Sequence, residues 1–272
     1  MSRPQIEDLG SIFINDIPLI DVRAPAEYAK GSLPTAINLP LLTDRERDAV
    51  GTCYRTQGKD AAISLGNKLV CGKVKAERLN YWQRFTEAHP NGALFCFRGG
   101  LRSEVTQQWL SEEGIEFPFV RGGYKAMRGW LVDAVSSVCA DSRFIILGGK
   151  TGVAKTRLIN CGAQGRQLPR SIDLEGLANH RGSAFGHRIT EQPSQIAFEL
   201  ALGVDLVKLR ADDADPILLE DEGRLIGRCA IPEPLEKACS QANWVELIAN
   251  LEDRIQHSYE NYILSNLREL ED

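Results

Sequence analysis

A cysteine followed by two glycines and flanked by arginines is the segment with the clearest chemistry. Residues 95–103 are FCFRGGLRS. Backbone N–H groups at a Gly-Gly turn can bind an anion, and nearby arginines and a helix N-terminus favour a thiolate. The pattern therefore predicts a nucleophilic Cys96, with Arg98 and Arg102 as its catalytic partners. A buried, unreactive cysteine beside a glycine turn is the plain alternative.

Short elements on either side would hold this cysteine at a strand-to-helix turn. Residues 93–95 are apolar and predict a buried strand, and residues 102–110 predict a helix with Trp109 and Leu110 on its inner side. Between residues 42 and 84 lies an insert that is polar around 51–60 and shows a helical pattern through 61–70. Because the insert directly precedes the cysteine segment, we expect it to cover that loop.

A second anion site is predicted later in the chain. An apolar strand at 143–147 runs into GGKTGVAKT at 148–156 and then into an apolar helix start. Such a loop binds a di- or triphosphate through backbone N–H groups and a lysine. We assign phosphate binding to Gly149, Thr151, Gly152, Lys155 and Thr156. The motif normally has glycine where Ala154 stands, so binding is expected to be weakened or altered if that position needs a positive φ.

Two acidic segments could complete this phosphate site. An apolar strand at 216–219 ends in Glu220, Asp221 and Glu222, which could hold Mg²⁺ or orient a nucleophile. The segment 172–186 is too rich in glycine and polar residues for a core element, and we interpret it as a substrate loop. Its candidate residues are Asp173, Glu175, His180 and Arg181. A helical pattern at 195–208 lies between the two segments and gives a strand, helix, strand alternation.

Composition is that of an ordinary globular protein with two domains. The chain has 272 residues, of which 43% are hydrophobic and 25% charged. We expect a first domain at 1–139 and a second at 140–272. No apolar run approaches the roughly 20 residues of a membrane span, and the N-terminus is too polar for a signal peptide, which predicts a cytoplasmic protein. The 7 cysteines show no paired spacing, so neither a disulfide framework nor a zinc site is predicted.

Charge is distributed unevenly along the chain. Residues 121–188 contain 11 Lys and Arg against 4 Asp and Glu, whereas residues 211–272 contain 5 against 15. A basic middle fits a protein that binds a polyanion through one face, and a solvated basic surface is the alternative.

From residue 242 onward, apolar residues recur in a long amphipathic pattern that we interpret as core packing.

The motifs together resemble a known family. DVR, EY, GSL and AINLP, at residues 21–40, resemble the start of a rhodanese domain, in which Cys96 falls at the active-site position. With CFRGGLRS, RGGYKAMR, GGKTGVAKT, DLEGLANHRGSAFG and LLEDEGRLIG, nearly the whole chain resembles the tRNA 2-selenouridine synthase family. This resemblance implies an α/β protein in which an N-terminal rhodanese-like parallel-sheet domain precedes a P-loop NTPase-like α/β domain.

The resemblance also implies a function. Members are transferases that replace sulfur by selenium in 2-thiouridine at the tRNA wobble position. They use selenophosphate and an S-geranyl-2-thiouridine intermediate made from geranyl diphosphate. Cys96 matches the selenium-carrying residue, and no tightly bound cofactor is implied beyond an optional Mg²⁺. Family chains continue beyond a point like Asp272, so this copy is expected to be shortened at its C-terminus.

Three other interpretations stay open on the residues alone. A thiosulfate-type sulfurtransferase would use only the first domain. A cysteine-dependent phosphatase would fit the five residues between Cys96 and Arg102, the spacing of protein tyrosine phosphatases. A non-catalytic tRNA-binding protein would keep the basic middle and leave Cys96 unreactive.

Overall fold

The structure is a computed structural model that describes residues 4–161, 168, 170–181, 187–211 and 216–264. The chain divides into two compact units, Met1–Trp130 and Leu131–Asp272. Each unit is built on a parallel sheet with helices between its strands, which confirms the predicted α/β class. The division predicted after residue 139 falls inside the helix that crosses from one unit to the other. No helix within the described ranges is long and apolar enough to cross a membrane.

The first unit has a five-stranded sheet in the order β1-β5-β4-β2-β3, with every pair parallel. β4 is the central strand, and Phe95 at its end pairs with Asp21 at the end of β2. The loops after β4 and β2 therefore lie side by side at one edge of the sheet. The elements are β1 (Gln5–Ile6), α1 (Leu9–Ile14), β2 (Leu19–Asp21), α2 (Pro25–Ala29), β3 (Ala36–Asn38), α3 (Asp44–Gln57), α4 (Lys59–Leu69), α5 (Gly72–Ala88), β4 (Ala93–Phe95), α6 (Leu101–Glu112), β5 (Phe119–Val120) and α7 (Gly123–Asp141).

The insert is more helical than its composition suggests. Residues 51–57, in the polar part of the insert, belong to α3. This helix is started by a capping box, in which the Thr43 hydroxyl accepts from the Glu46 N–H and the Glu46 carboxylate accepts from the Thr43 N–H. Gly58, at φ +89°, separates α3 from α4. The strand β5 has only two residues, Phe119 and Val120.

The second unit has a four-stranded parallel sheet in the order β11-β6-β8-β7 and a small antiparallel pair, β9 and β10. Leu147 of β6 pairs with Glu220 of β8, so the loop after β6 and the acidic end of β8 share one edge of the sheet. The elements are β6 (Phe144–Gly148), α8 (Lys155–Cys161), β7 (Ser171–Ile172), α9 (Leu174–Ala178), α10 (Gln195–Ala211), β8 (Ile217–Glu220), β9 (Leu225–Ile226), β10 (Cys229–Ala230), α11 (Glu233–Ser240), β11 (Asn243–Glu246), α12 (Leu251–Tyr259) and a π-helical turn (Glu260–Leu264).

Within the described residues, the apolar pattern after residue 242 does not pack in the core, so the interpretation as core packing was wrong there. Its first part is the edge strand β11, in which all four residues are exposed. Ile248 is 80% exposed, and Leu251 and Ile255 are 62% and 61% exposed. The core of this unit is built instead from α10, β6 and β8, with Phe198 and Leu219 fully buried.

Candidate functional site

Cys96 lies where the sequence predicted, directly after the central strand β4 and before α6. It is 4% exposed and belongs to the hydrophobic core of the first unit. Its Sγ lies 4.0 Å from the Gly100 carbonyl oxygen at the start of α6. The sulfur is therefore held at a strand-to-helix turn, where the first backbone N–H groups of α6 lack intrahelical acceptors.

Two glycines let this loop pack directly on the start of α7. Gly99 has φ +60° and Gly123 has φ +57°. A Cβ on Gly99 would come within 2.6 Å of the Val120 carbonyl oxygen, and one on Gly123 within 2.2 Å of the Cys96 carbonyl oxygen. The Tyr124 N–H donates to that same Cys96 carbonyl at 2.9 Å. The cysteine backbone is thus fixed by α7, in contacts that only glycines permit.

The two arginines of the motif have different surroundings. Arg102 forms a two-pronged ion pair with Glu27 of α2, at 2.5 and 3.2 Å. Burial raises the pKa of Glu27, but the hydrogen bond and charge of Arg102 outweigh it, so the pKa lies below its ordinary value. Arg98 is exposed to solvent. Of the two predicted partners, Arg102 is thus anchored beside the loop, whereas Arg98 could meet only a ligand that arrives from solvent.

A buried ion pair supports the cysteine loop and was missed in the sequence as a functional feature. Arg23 donates to Asp21 at 2.6 Å, and the two side chains are 2% and 0% exposed. The Arg23 guanidinium lies 3.7 Å from the Tyr124 ring centroid, and its Nη2 also donates to the Gly31 carbonyl. An arginine directly after a strand was the only sequence signal. These contacts tie the end of β2 to Tyr124 of α7, whose backbone N–H binds the Cys96 carbonyl.

The second site is the phosphate-binding loop between β6 and α8. Gly149 has φ +141°, Gly152 has φ +85° and Ala154 has φ +67°. The position where the motif normally has glycine therefore does require the left-handed region, and alanine occupies it. The Lys155 ammonium lies 3.5 Å from the Gly149 carbonyl oxygen and 3.6 Å from a Glu222 carboxylate oxygen. Thr151 is exposed at the loop tip.

Acidic residues from both predicted segments meet at this loop. The Thr156 Oγ1 lies 2.7 Å from a Glu175 oxygen and 2.8 Å from a Glu220 oxygen. A hydroxyl has one proton, so Thr156 can donate to only one of these two carboxyls at a time. Burial, with the Glu175 charge next, raises the pKa of Glu220 to about 8. Burial, and next the charge of Glu175, raise the pKa of Glu222 to about 7. The positive charge of Lys155 acts in the opposite direction.

The other predicted residues are divided between the site and its surroundings. Asp173 caps α9 by accepting from the Gly176 N–H at 2.7 Å, and its second oxygen accepts from Asn160. Asp221 is exposed and turned away from the cluster. Arg181 lines the phosphate cavity, whereas His180 is buried behind it, with Nδ1 unpaired among the described residues. Residues 182–186 of the predicted substrate loop lie outside the described residues.

A cavity opens over the phosphate-binding loop. Besides the predicted residues, His257 of α12 and Asn261 of the π-helical turn line it. Sequence analysis missed both because the stretch was interpreted as core. The Arg254 Nε donates to the Thr151 carbonyl at 3.0 Å, so α12 is attached directly to the loop. The hydroxyl and carboxylate oxygens of Thr156, Glu175 and Glu220 form a donor set suited to Mg²⁺.

Comparison with known proteins gives matches over nearly the whole chain. The profile of the Rhodanese-like domain matches residues 7–129, and that of the tRNA 2-selenouridine synthase AAA domain matches residues 142–272. The tRNA 2-selenouridine synthase of Marinobacter nauticus is 52% identical over 262 residues, which cover 96% of this chain and 70% of that protein. Those of Hahella chejuensis and Pseudomonas syringae pv. syringae are 50% and 48% identical, over 97% and 95% of this chain and 68% and 69% of theirs.

Proposed function

The chain belongs to the tRNA 2-selenouridine synthase family, and from this premise we propose that it replaces the sulfur of 2-thiouridine in tRNA by selenium at the wobble position. Selenophosphate is the selenium donor, and S-geranyl-2-thiouridine, made from geranyl diphosphate, is the intermediate. The observation that carries the proposal is the pair of separate sites, a cysteine loop in one unit and a phosphate-binding loop in the other. We place the enzyme in the cytoplasm.

The phosphate-binding loop serves the geranyl half of the reaction. The sulfur of 2-thiouridine attacks the first carbon of geranyl diphosphate, the C–O bond breaks, and pyrophosphate leaves with the bonding electrons as the N3 proton is released. Lys155 and the backbone N–H groups of the loop bind that pyrophosphate and stabilise its developing charge. When bound, Mg²⁺ would add further stabilisation of phosphate charge, with Thr156, Glu175 and Glu220 as its protein ligands.

The selenium half requires no change of oxidation state overall. Selenophosphate attacks C2 of S-geranyl-2-thiouridine through selenium, the C2–S bond breaks, and geranyl thiol leaves with a proton. The nucleoside then carries selenium bonded to a phosphoryl group. Cleavage of the P–Se bond with one water gives 2-selenouridine and inorganic phosphate. A thiolate that attacked selenium in selenophosphate would instead release phosphite or need an oxidant.

We therefore assign the Cys96 thiolate to phosphorus and not to selenium. It attacks the phosphoryl group, the P–Se bond breaks with its electrons on selenium, and N3 takes up a proton. Water then hydrolyses the S-phosphocysteine to phosphate and the restored thiol. The five residues between Cys96 and Arg102 are the spacing found in cysteine-dependent phosphatases, and the Arg102 guanidinium has donors beyond those used by Glu27.

Nucleoside mass spectrometry tests this function directly. Wild type, given tRNA with S-geranyl-2-thiouridine and selenophosphate, should form 2-selenouridine and one phosphate for each. Cys96→Ser should stop at a nucleoside that carries both selenium and a phosphoryl group, whereas the exposed Cys71→Ser should behave as wild type. An unchanged S-geranyl nucleoside in Cys96→Ser would contradict the assigned role and show that the thiolate acts before the C2–Se bond forms. A wild-type enzyme that forms no 2-selenouridine would refute the function itself.

A further inference from the structure

The helix α12 turns its polar side toward the protein and its apolar side toward solvent. Leu251, Ile255 and Tyr259 are 62%, 61% and 50% exposed. A surface helix of a globular protein ordinarily has the opposite arrangement, with its apolar stripe on the core. Half-buried polar residues recur here at positions i, i+3, i+4 and i+7, which form one helix face, and they are Arg254, His257, Ser258 and Asn261. Apolar burial therefore does not explain where this helix lies.

The polar face of α12 packs on the phosphate-binding loop. The Arg254 Nε donates to the Thr151 carbonyl at the tip of the loop. At the next residue, a Cβ on Gly152 would lie 2.6 Å from the Arg254 carbonyl oxygen and 2.7 Å from the Ser258 Oγ. Gly152 also has φ +85°, so a side chain there would be strained as well as crowded. The helix and the loop are thus in direct backbone contact.

Two donors from this helix face reach the cavity over the loop. His257 and Asn261 line it together with Lys155 and Arg181. An imidazole carries an N–H in either protonation state, and an amide carries two, so both side chains can donate to phosphate oxygens. Asn261 lies in the π-helical turn Glu260–Leu264, a rare conformation that is frequent at functional sites. α12 therefore adds hydrogen-bond donors to a cavity whose other donors come from the loop.

We propose that His257 and Asn261 bind the second phosphate of a diphosphate whose first phosphate is held by Lys155 and the backbone of the loop. The inference rests on the proposed function, in which pyrophosphate leaves from this loop. A diphosphate has more acceptor oxygens than one phosphate, and donors on a second wall of the cavity can meet them. Arg254 is a positioning residue, because it contacts the Thr151 carbonyl and does not line the cavity.

Titration calorimetry of the full chain with inorganic pyrophosphate and with orthophosphate tests the proposal. His257→Ala and Asn261→Ala each remove a hydrogen bond to a charged group, so each should weaken pyrophosphate binding about tenfold or more and leave orthophosphate binding within about twofold. Arg254→Ala should weaken both ligands, because it disturbs the loop itself. Gln256→Ala is the matched control, since this exposed amide on α12 does not line the cavity, and it should bind both ligands as wild type does.

Three calorimetric outcomes would overturn the proposal. The first is pyrophosphate binding within about twofold of wild type in both His257→Ala and Asn261→Ala. The second is an equal loss on both ligands in these two variants, which would indicate damage to the loop. The third is a wild-type chain that binds no pyrophosphate, which would also remove pyrophosphate from the proposed function. His257→Gln keeps an N–H donor and should bind pyrophosphate more tightly than His257→Ala.

Activity separates this proposal from the proposed function. His257→Ala and Asn261→Ala should lower kcat/KM for geranyl diphosphate about tenfold or more, and should convert a supplied S-geranyl tRNA to 2-selenouridine as wild type does. Unchanged kcat/KM for geranyl diphosphate in both variants would contradict the role given to α12. A wild-type chain that binds pyrophosphate but forms no S-geranyl nucleoside would refute the proposed reaction, and the calorimetric pattern would still decide the role of α12.

Discussion

Ala154 occupies a backbone conformation that its side chain disfavours. Its φ of +67° is left-handed, where an L-residue with a Cβ costs roughly 1–2 kcal/mol. Ala154→Gly removes this strain but adds chain entropy to the unfolded state, so we expect a net gain of up to about 1 kcal/mol. Ala154→Val should lose about 1–3 kcal/mol, since a β-branched residue fits there worst. Thermal unfolding measures both changes, and pyrophosphate calorimetry should show tighter binding to the glycine variant.

Two carboxyls with raised pKa at the phosphate-binding loop, Glu220 beside Thr156 and Glu222 beside Lys155, make the stability of the protein depend on pH. The pKa is raised from 4.5 to about 8 for Glu220 and to about 7 for Glu222, so the folded state binds more protons than the unfolded state above pH 4.5. Their contribution to stability is fully present below that pH and is lost as the pH rises through 7 to 8. Denaturant unfolding between about pH 5 and 8.5 should show falling stability.

Substitution at the acidic strand end identifies the source of that pH dependence. Glu220→Gln should flatten the fall in stability, because the amide cannot be ionised. The exposed neighbour Asp221→Asn is the matched control and should retain the full slope. If the stability of Glu220→Gln falls with pH as steeply as that of wild type, a group other than Glu220 causes the pH dependence.

The sequence contained part of this residue-scale arrangement. It predicted an acidic strand end beside the phosphate-binding loop, and Glu220 and Glu222 do face it, while Asp221 points to solvent. Alternation of side chains along an extended strand end accounts for this division. The raised pKa of Glu220 could not be predicted, because it depends on burial and on the charge of Glu175, which is 45 residues away in sequence. The Glu175 N–H, which donates to Glu220 at 2.8 Å, acts in the opposite direction and lowers that pKa.

At the scale of elements, the junction between the cysteine loop and α7 depends on a glycine. Gly123→Ala would place a methyl group within 2.2 Å of the Cys96 carbonyl oxygen, at a φ of +57°. We expect a loss of about 2–4 kcal/mol in unfolding free energy and the loss of selenium transfer. Gly129→Ala, in the same helix with no atom within 4 Å of its Cβ, should gain about 0.5–1 kcal/mol. Denaturant unfolding compares the two directly.

Elements defined by local sequence were predicted best. Both strand, loop, helix motifs follow the expected order, because an apolar strand, a glycine turn and a helix start are adjacent in the chain. The contact between Gly99 and α7 was not predictable, since it joins segments that are distant in sequence. The stretch after residue 242 was misjudged because β11 is an exposed edge strand, and periodicity alone does not distinguish a buried apolar face from an exposed one.

At the scale of the whole molecule, the basic middle of the chain is expected to bind tRNA phosphates. Arg181 is buried and Lys155 belongs to the phosphate site, so the contacts should come from exposed cations such as Lys125 and Arg157. Affinity should fall linearly with the logarithm of salt concentration, and Lys125→Ala should reduce the slope by about 0.7–0.9. Arg224→Ala, outside the basic segment and 78% exposed, is the control. Filter binding at several salt concentrations tests this, and a flat response would contradict phosphate contacts.

Because the two sites lie in two compact units, we predict that a variant can lose one half of the reaction and keep the other. Lys155→Ala removes a charge-assisted contact to the departing pyrophosphate, worth about 1.5–3 kcal/mol or one to two orders of magnitude in rate. It should be impaired in making S-geranyl-2-thiouridine yet still convert a supplied S-geranyl tRNA to 2-selenouridine. Cys96→Ser should show the reverse pattern. Nucleoside mass spectrometry of both variants on both tRNA substrates gives the answer, and failure of both variants at the same step would show that the two loops act in one reaction centre.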